Sequence, residues 1–152
     1  MHDKKTNFKK TELDDSLLIC PVEEFNLREI IGRSKESRYL NRGAQFAVAA
    51  ALKALNDSGL DDKAREKTGL FLGAAPNLDF DSELSHLKDS QIDYEKNAAL
   101  FILRFLPNTV SSAVSKILNL HGENLTVNTA CASALQAIGE AYRKIKDGYL
   151  EA

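Results

Sequence analysis

The sequence has little of what marks secreted or membrane proteins. Only two of its 152 residues are cysteine, Cys20 and Cys131, and they lie far apart in the chain. Two cysteines are too few for a disulfide framework, so the sequence favours a reducing compartment, and we expect a cytoplasmic protein. No apolar run approaches the length of a membrane-spanning helix, and the first sixteen residues lack the apolar centre of a secretory signal. We therefore expect no membrane partner.

The chain also lacks an excess of charge of one sign. Twenty basic side chains face twenty-two acidic ones, for a formal net charge of -2. Such a balance provides no field for collecting nucleic acid, so we expect no nucleic-acid partner. The hydrophobic content of 43% is enough to build the core of one domain. Residues 1–16 are polar and predict a disordered, solvated tail, which leaves 17–152 for the domain.

Patterns typical of strands and helices alternate along the chain. Apolar runs that predict strands cover 17–22, 68–75 and 124–129, and helical spacing covers 42–58, the residues after Pro107, and 132 to Gly148. The run at 68–75 is apolar throughout, which predicts a strand buried on both faces in the interior. Alternating strands and helices predict an α/β fold with a mostly parallel sheet covered by helices.

Metal-binding patterns are also missing. Acidic residues and His86 occur in the long polar stretch over 76–97, but they match no recognised spacing of metal ligands. We interpret that stretch as a surface loop or a functional excursion. The sequence therefore predicts neither a metal nor another cofactor.

The stretch "VNTACASAL" places Cys131 at the turn from a predicted strand into a predicted helix. Unpaired backbone N–H groups and the helix dipole at such a turn stabilise a thiolate, and the same N–H groups can bind an oxyanion. The neighbouring residues are small, so a substrate can approach the sulfur. This geometry suits acyl transfer. The alternative is that Cys131 fills a small gap under the helix, and the pattern alone leaves both interpretations open.

The segment "VNTACASALQAIGEAYRKIKDG" resembles the active-site segment of the elongating β-ketoacyl-acyl carrier protein synthases and the polyketide ketosynthases of the thiolase superfamily. The upstream segments "TGLFLGAA" and "LPNTVSSAVSKILNLHGENLT" agree with that family in order, and the similarity covers about 20–148. Chain-starting synthases and degradative thiolases carry different residues around their cysteine and are the alternatives within the superfamily. The resemblance implies part of a thiolase-like fold, half of its αβαβα layers.

The resemblance also implies a reaction, a decarboxylating Claisen condensation in fatty-acid or polyketide synthesis. Cys131 would take an acyl group from an acyl carrier protein thioester, and its backbone N–H would form half of the oxyanion hole. A homodimer or a complementary ketosynthase chain is the implied assembly. Two further stretches would contact substrate: "LPNTV" at the acyl pocket, with Pro107, Asn108 and Thr109, and "GAAPN" at the chain-length gate, with Ala75 and Pro76. Packing at the start of a helix explains Pro107, Asn108 and Thr109 about as well as substrate contact does.

The sequence departs from the family pattern in length. It matches the middle of the family's first half, and the "TGxG" turn, both catalytic histidines, the buried lysine and the "GFGG"-type loop have no counterpart here. His2, His86 and His121 match none of the family histidines. We therefore expect the chain alone to perform no condensation, and its strand at 68–75 to lack a neighbour. A non-catalytic ketosynthase-like partner and an inactive fragment are the competing interpretations, although the cysteine favours an enzyme part.

Overall fold

A short parallel sheet and the helices packed on it form the centre of the fold. A computed structural model describes residues 8–10, 16–22, 24–74, 103 and 106–152. Its elements in chain order are β1 (Lys9–Lys10), β2 (Leu18–Ile19), α1 (Leu27–Ile31), α2 (Arg42–Ser58), α3 (Asp62–Lys67), β3 (Leu70–Gly73), α4 (Pro107–Leu118), β4 (Asn124–Val127) and α5 (Ser133–Lys146). Two 3₁₀ turns, Glu36–Tyr39 and Ala130–Ala132, lie before α2 and α5.

Strands β3 and β4 run parallel, with Leu70 opposite Asn124 and Gly73 opposite Val127. Helices α4 and α5 both pack on this sheet, and α2 packs on α4. Parallel strands need a long crossover between them, which here includes α4. The predicted α/β arrangement of a parallel sheet and covering helices is confirmed.

The main hydrophobic core lies where α2 meets α4. Val48 and Val114 are completely buried there, and Ala44 and Ala113 lie beside them. These alanines let the two helix backbones approach closely, as the alanine-rich stripe of α2 predicts. The side chain of Asn41 caps α2 by accepting a hydrogen bond from the Ala44 N–H at 2.9 Å. None of the helices that the structure describes is both long and apolar enough to span a bilayer.

The burial of β3 differs from the prediction. Leu70, Phe71 and Leu72 are half-buried instead of lying in the interior. The reason is that β4 is the one strand paired with β3 among the described residues, so the other edge of β3 gains no covering strand. The apolar run identified the strand correctly, but its burial depends on neighbours that the run does not encode.

Helices α1 and α3 were not predicted from the sequence. Both are short, and α3 has no buried residue, so neither carries the apolar spacing that reveals longer helices. Their start signals are present in the sequence. Asn26 accepts a hydrogen bond from the Arg28 N–H at 3.1 Å, and Asp61 accepts one from the Ala64 N–H at 2.8 Å.

Helix α5 packs on the sheet through its small residues. Ser133 and Ala137 are buried, with exposed fractions of 4% and 3%. The large apolar residues that form its helical stripe are exposed: Leu135 (77%), Ile138 (65%), Tyr142 (62%) and Ile145 (48%). The described part of the chain therefore leaves one apolar face of α5 uncovered.

The N-terminal strands form a separate antiparallel pair. Lys9 lies opposite Ile19 and Lys10 opposite Leu18, and all four residues are exposed. Lys9 and Lys10 belong to the segment that the sequence analysis assigned to a polar tail. The predicted strand at 17–22 is present over Leu18–Ile19 and pairs with that segment instead of with the parallel sheet.

An ion pair joins the 3₁₀ turn before α2 to the outer side of α4. The Glu36 carboxylate lies 2.7 Å from the Lys116 ammonium and accepts a hydrogen bond from the Ser34 hydroxyl at 2.7 Å. The hydrogen bond from Lys116, followed by the one from Ser34, lowers the pKa of Glu36 from its ordinary value of 4.5 to about 2. The folded chain therefore favours the charged form of this carboxyl.

The low pKa of Glu36 predicts a pH-dependent contribution to stability. Because the pKa is lower in the folded chain than in the unfolded chain, the contribution is complete above about pH 4.5 and is lost as the pH falls toward 2. In urea unfolding, the stability difference between wild type and Glu36→Gln should be constant near neutral pH and shrink below pH 4.5. Glu151→Gln, at an exposed position, is the control. A difference that grows on acidification would contradict this assignment.

Candidate active site

Cys131 lies in the middle of the 3₁₀ turn that leads from β4 into α5. It is exposed and carries a free thiol, as does Cys20 in the N-terminal segment. The backbone N–H of Cys131 makes no hydrogen bond with any residue that the structure describes. An accessible sulfur and an unused N–H donor therefore belong to the same residue.

The backbone of the turn is held by hydrogen bonds at its base. The Ala132 N–H donates to the Thr129 carbonyl at 3.1 Å, and the Ser133 N–H donates to the Ala130 carbonyl. The Ser133 hydroxyl accepts a hydrogen bond from the Thr129 N–H at 2.7 Å. These bonds use the N–H groups of Thr129, Ala132 and Ser133 and leave the N–H of Cys131 available.

Ala130, directly before Cys131, has a φ of 49°. This left-handed conformation is uncommon for residues with a side chain and persists where the surrounding structure enforces it. Such backbone outliers cluster at functional sites. The turn therefore has the geometry of a sharp strand-to-helix bend that presents Cys131 to solvent.

Gly73, the last residue of β3, fixes the position of the start of α5. A Cβ atom at Gly73 would lie 2.6 Å from the Ser133 carbonyl carbon and 2.6 Å from the Ala134 nitrogen. The backbones of β3 and α5 are thus in direct contact, which only a glycine permits here. This contact places the end of "TGLFLG" next to the turn of Cys131.

Two stretches that the sequence analysis connected with substrate meet at a cavity beside this contact. The cavity has a volume of about 190 Å³. Gly73 and Ala74 from "GAAPN" and Val110 from "LPNTV" line it, together with Leu72 and the small residues Gly43, Ala44 and Ala47 of α2. The structure therefore brings these two stretches together near the start of α5. Ala75 and Pro76 lie outside the described residues.

A larger cavity of about 470 Å³ lies on the outer side of α4. Asn108 and Thr109 line it, while Pro107 occupies the first position of the helix. Leu106 and Ala113 give the cavity an apolar wall. Within the described part of the chain, its lining includes no residue of the Cys131 turn. Asn108 and Thr109 thus border a cavity, but not one that Cys131 shares.

His121 lies away from Cys131, as its place in the sequence indicates. It precedes β4, whereas Cys131 follows β4, so a strand of four residues, roughly 13 Å long, lies between them in the chain. The His121 ring is exposed and lies 3.0 Å from the Asn119 side-chain oxygen. His2 and His86 lie outside the described residues. Among the described residues, no cluster of three or more metal-ligating side chains occurs.

Comparison with known proteins identifies the family. Residues 3–152 match the family model described as the β-ketoacyl synthase N-terminal domain. The chain belongs to the β-ketoacyl synthase family. The family resemblance seen at "TACAS" is therefore confirmed, and it concerns the N-terminal portion. The matched region begins before residue 20, the point from which the similarity was visible in the sequence.

Curated relatives of this ketosynthase chain are longer than the chain itself. It is 28% identical over 133 residues to 3-oxoacyl-[acyl-carrier-protein] synthase 2 of Staphylococcus aureus (strain N315) and 30% identical over 134 residues to that of Vibrio harveyi. Each match covers 86% of this chain and 32% of the relative. The chain thus spans about a third of the length of these relatives.

Solved ketosynthase structures share the fold. The crystal structure of a β-ketoacyl synthase from Burkholderia phymatum STM815 aligns with a TM-score of 0.68 at 24% identity, covering 86% of this chain and 33% of that one. The ishigamide ketosynthase/chain length factor aligns with a TM-score of 0.69 at 24% identity, covering 88% and 34%. These likenesses confirm the predicted partial thiolase-like α/β fold.

The sequence pattern identifies the cysteine but not the residues that hold its turn. In the sequence Thr129 and Ser133 are only small neighbours of Cys131, whereas in the structure the Thr129 N–H donates a hydrogen bond to the Ser133 hydroxyl across the turn. Gly73 belongs to the "GAAPN" stretch, but its backbone contact with α5 has no local signal in the sequence. A hydroxyl residue at the start of the predicted helix was the available signal, because serine favours such positions.

Proposed function

We propose that Cys131 is the nucleophile of a β-ketoacyl synthase and accepts the acyl group from an acyl carrier protein thioester, for condensation in fatty-acid or polyketide synthesis. One observation carries the proposal. At Cys131 an exposed thiol and an unused backbone N–H occur together at a strand-to-helix turn, in a chain of this family. A thiol supplies the nucleophile for thioester exchange, and an N–H donor accelerates the reaction by stabilising the oxyanion that forms.

The loading step follows from these two groups. The Cys131 sulfur attacks the thioester carbonyl carbon and forms a new C–S bond, while the Cys131 N–H stabilises the oxyanion of the tetrahedral intermediate. The C–S bond to the carrier then breaks. The carrier leaves as a thiolate and takes up the proton that the Cys131 thiol has lost. The acyl group remains on Cys131, with no change in oxidation state.

We assign substrate contacts to the two stretches that resemble the acyl-pocket segments of the family. Asn108 and Thr109 at the start of α4 border a cavity with apolar walls. Because the Cys131 turn does not line this cavity among the described residues, the cavity supports contact with a part of the substrate that lies away from the Cys131 sulfur, such as the carrier arm. Pro107 fixes the start of that helix. For Ala75 and Pro76, the role at the chain-length gate stays a prediction from the resemblance.

We propose that a complementary ketosynthase portion packs on α5 and supplies the groups for the rest of the reaction, in the cytoplasm. The exposed face of Leu135, Ile138 and Tyr142 supports this proposal, because monomeric proteins rarely leave a contiguous apolar patch of this kind uncovered. The second edge of β3, which has no strand partner among the described residues, is a further surface for such a partner.

Acyl loading of the purified chain tests the assignment of Cys131. The chain is incubated with an acyl carrier protein loaded with a radiolabelled or isotopically heavy acyl group, and the modified peptide is identified by mass spectrometry. We expect the label on the peptide that contains Cys131 and none on the peptide that contains Cys20. The reason is that both thiols are exposed, but Cys131 lies in the turn that leads into α5, whereas Cys20 follows the two-residue strand β2.

Two matched variants complete this experiment. Cys20→Ser should load at the wild-type rate, and Cys131→Ser should lose the labelling. Equal labelling of both cysteines would show that exposure alone determines reactivity and would contradict the proposal. Absence of labelling on a folded wild-type chain would favour the non-catalytic interpretations.

A further inference from the structure

Thr129 uses all its hydrogen-bonding groups across the turn that carries Cys131. Its N–H donates to the Ser133 hydroxyl, and its carbonyl accepts from the Ala132 N–H. Its own hydroxyl donates to the side-chain oxygen of Gln136 at 2.6 Å. Two of these three hydrogen bonds connect Thr129 to residues of α5. Thr129 therefore links the residues before the turn to the helix that follows it.

The partners of Thr129 are anchored to the rest of the fold. Ser133 is 4% exposed and lies against the Gly73 backbone, so the first turn of α5 cannot move without moving the sheet. Ala130 needs such support, because its left-handed conformation is unfavourable for a residue with a Cβ atom. Thr129 is the residue that connects this conformation to the anchored helix.

We propose that Thr129 is a positioning residue for Cys131. Through Ser133 and Gln136 it holds the turn so that the Cys131 sulfur and the Cys131 N–H face the same thioester carbonyl. This inference rests on the proposed function of Cys131 as the acyl acceptor. It adds that acyl transfer depends on the Thr129 hydroxyl, which does not touch the substrate.

Two reagents separate positioning from simple exposure of the thiol. Iodoacetamide reacts with the sulfur at a saturated carbon, forming a C–S bond and releasing iodide, and no oxyanion develops. A thioester needs both the sulfur and the N–H in place, because its carbonyl oxygen becomes negatively charged. Loss of positioning should therefore slow thioester exchange far more than alkylation.

The experiment compares Thr129→Val with Thr129→Ser in the full chain. Thr129→Val removes the hydroxyl bond to Gln136 at nearly constant volume, and we expect acyl transfer to slow about tenfold while alkylation of Cys131 changes less than about twofold. Thr129→Ser keeps a hydroxyl and should restore acyl transfer. Thr126→Val is the matched control, since it removes the 2.7 Å hydrogen bond between the Thr126 hydroxyl on β4 and the Ser111 hydroxyl on α4, away from the turn.

Gln136→Met provides a second route to the same loss, because it removes the acceptor from an exposed position of α5 and keeps the turn sequence intact. Gln136→Met should slow acyl transfer as Thr129→Val does, with little change in alkylation, and it replaces Thr129→Val in the experiment if that variant does not fold. Backbone amide NMR shifts of Ala130 and Cys131 provide a readout that does not depend on acyl transfer. We expect both amide signals to move in Thr129→Val and to keep their wild-type positions in Thr126→Val.

Several results would overturn the positioning role. If Thr129→Val slows acyl transfer and alkylation equally, the Thr129 hydroxyl stabilises the fold and does not position Cys131. If acyl transfer keeps its wild-type rate in both Thr129→Val and Gln136→Met, the hydroxyl has no role at the site. Unmoved Ala130 and Cys131 signals would exclude an effect on the turn. If wild type is alkylated but accepts no acyl group, the proposed function fails first, and the positioning role fails with it.

Discussion

Gly73→Ala is expected to lower the free energy of unfolding by about 3 kcal/mol, at the upper end of the range for overpacked interiors. A Cβ atom at Gly73 would lie 2.6 to 2.7 Å from three backbone atoms of Ser133 and Ala134. Backbone atoms cannot rotate away as a flexible side chain can, so α5 would have to move as a unit. Gly73 is not one of the glycines with positive φ, and the expected loss therefore comes from the lack of space alone.

Gly139→Ala is the matched control for this prediction. Gly139 lies within α5, and a Cβ atom there would meet only the Arg143 side chain at 3.7 Å, an ordinary contact. Alanine inside a helix should raise stability by roughly 0.5–1 kcal/mol. Urea unfolding of the two variants at neutral pH measures both effects. Equal stabilities would show that the contact between β3 and α5 does not restrict position 73.

The Gly73 variant should also affect Cys131. Ser133 both contacts Gly73 and accepts the hydrogen bond from Thr129, so movement of the start of α5 disturbs the turn. We expect the folded fraction of Gly73→Ala to accept acyl groups more slowly than wild type, whereas Gly139→Ala loads normally. Loading rates are compared at a temperature where both variants are folded. The contact between Gly73 and the start of α5 therefore affects both the stability of the fold and the conformation of the Cys131 turn.

The positions of the long elements follow from the sequence, but their burial does not. The helical spacing and Gly59 predict α2 at the bounds that the structure shows, because periodicity and helix stops are local signals. The stripe of Leu135, Ile138 and Tyr142 predicts α5 equally well, yet this stripe is exposed. Small residues, Ser133 and Ala137, make the contact with the sheet. Which side of a helix is covered depends on partners that the sequence of the helix does not contain.

The sequence predicts which residue is the candidate nucleophile, but it does not predict the backbone conformation and the contacts around that residue. The family resemblance of "TACAS" identifies Cys131, and the strand and helix on either side predict a turn. The left-handed conformation of Ala130 has no local signal, since alanine disfavours it, and it follows from the bonds of Thr129 to α5. Likewise, Gly73 and Val110 lie far apart in sequence and meet only when β3 and α4 pack together. Long-range contacts determine these features.

The last prediction concerns the condensation itself. The isolated chain, supplied with acyl- and malonyl-carrier proteins, should accept acyl groups on Cys131 but form no β-ketoacyl product. Decarboxylation and carbon–carbon bond formation need a group that stabilises the enolate and a second oxyanion donor. Among the described residues, His121 precedes β4 and Cys131 follows it, so the two lie toward opposite ends of that strand and His121 is not placed for either role.

If the enolate-stabilising group and the second oxyanion donor both come from a complementary portion, condensation by the isolated chain should be much slower. General acid–base catalysis contributes about 10² to 10⁴ to a rate, and one oxyanion donor contributes about 10² to 10³. We therefore expect condensation by the isolated chain to be at least about 10⁴-fold slower than by a complete synthase, as measured by mass spectrometry of the carrier-bound products. Cys131→Ala shows the background that does not depend on the cysteine.

Addition of a complementary ketosynthase portion that carries histidines should restore product formation if it packs on the exposed face of α5. Leu135→Gln and Ile138→Gln, which change this face without touching the turn, should weaken the restoration while the isolated variants still load acyl groups. Leu18→Gln, on the exposed β2, is the control for a general loss of apolar surface. Product formation by the isolated chain within tenfold of a complete synthase would refute the requirement for a partner, because the described residues near Cys131 would then be sufficient for the chemistry.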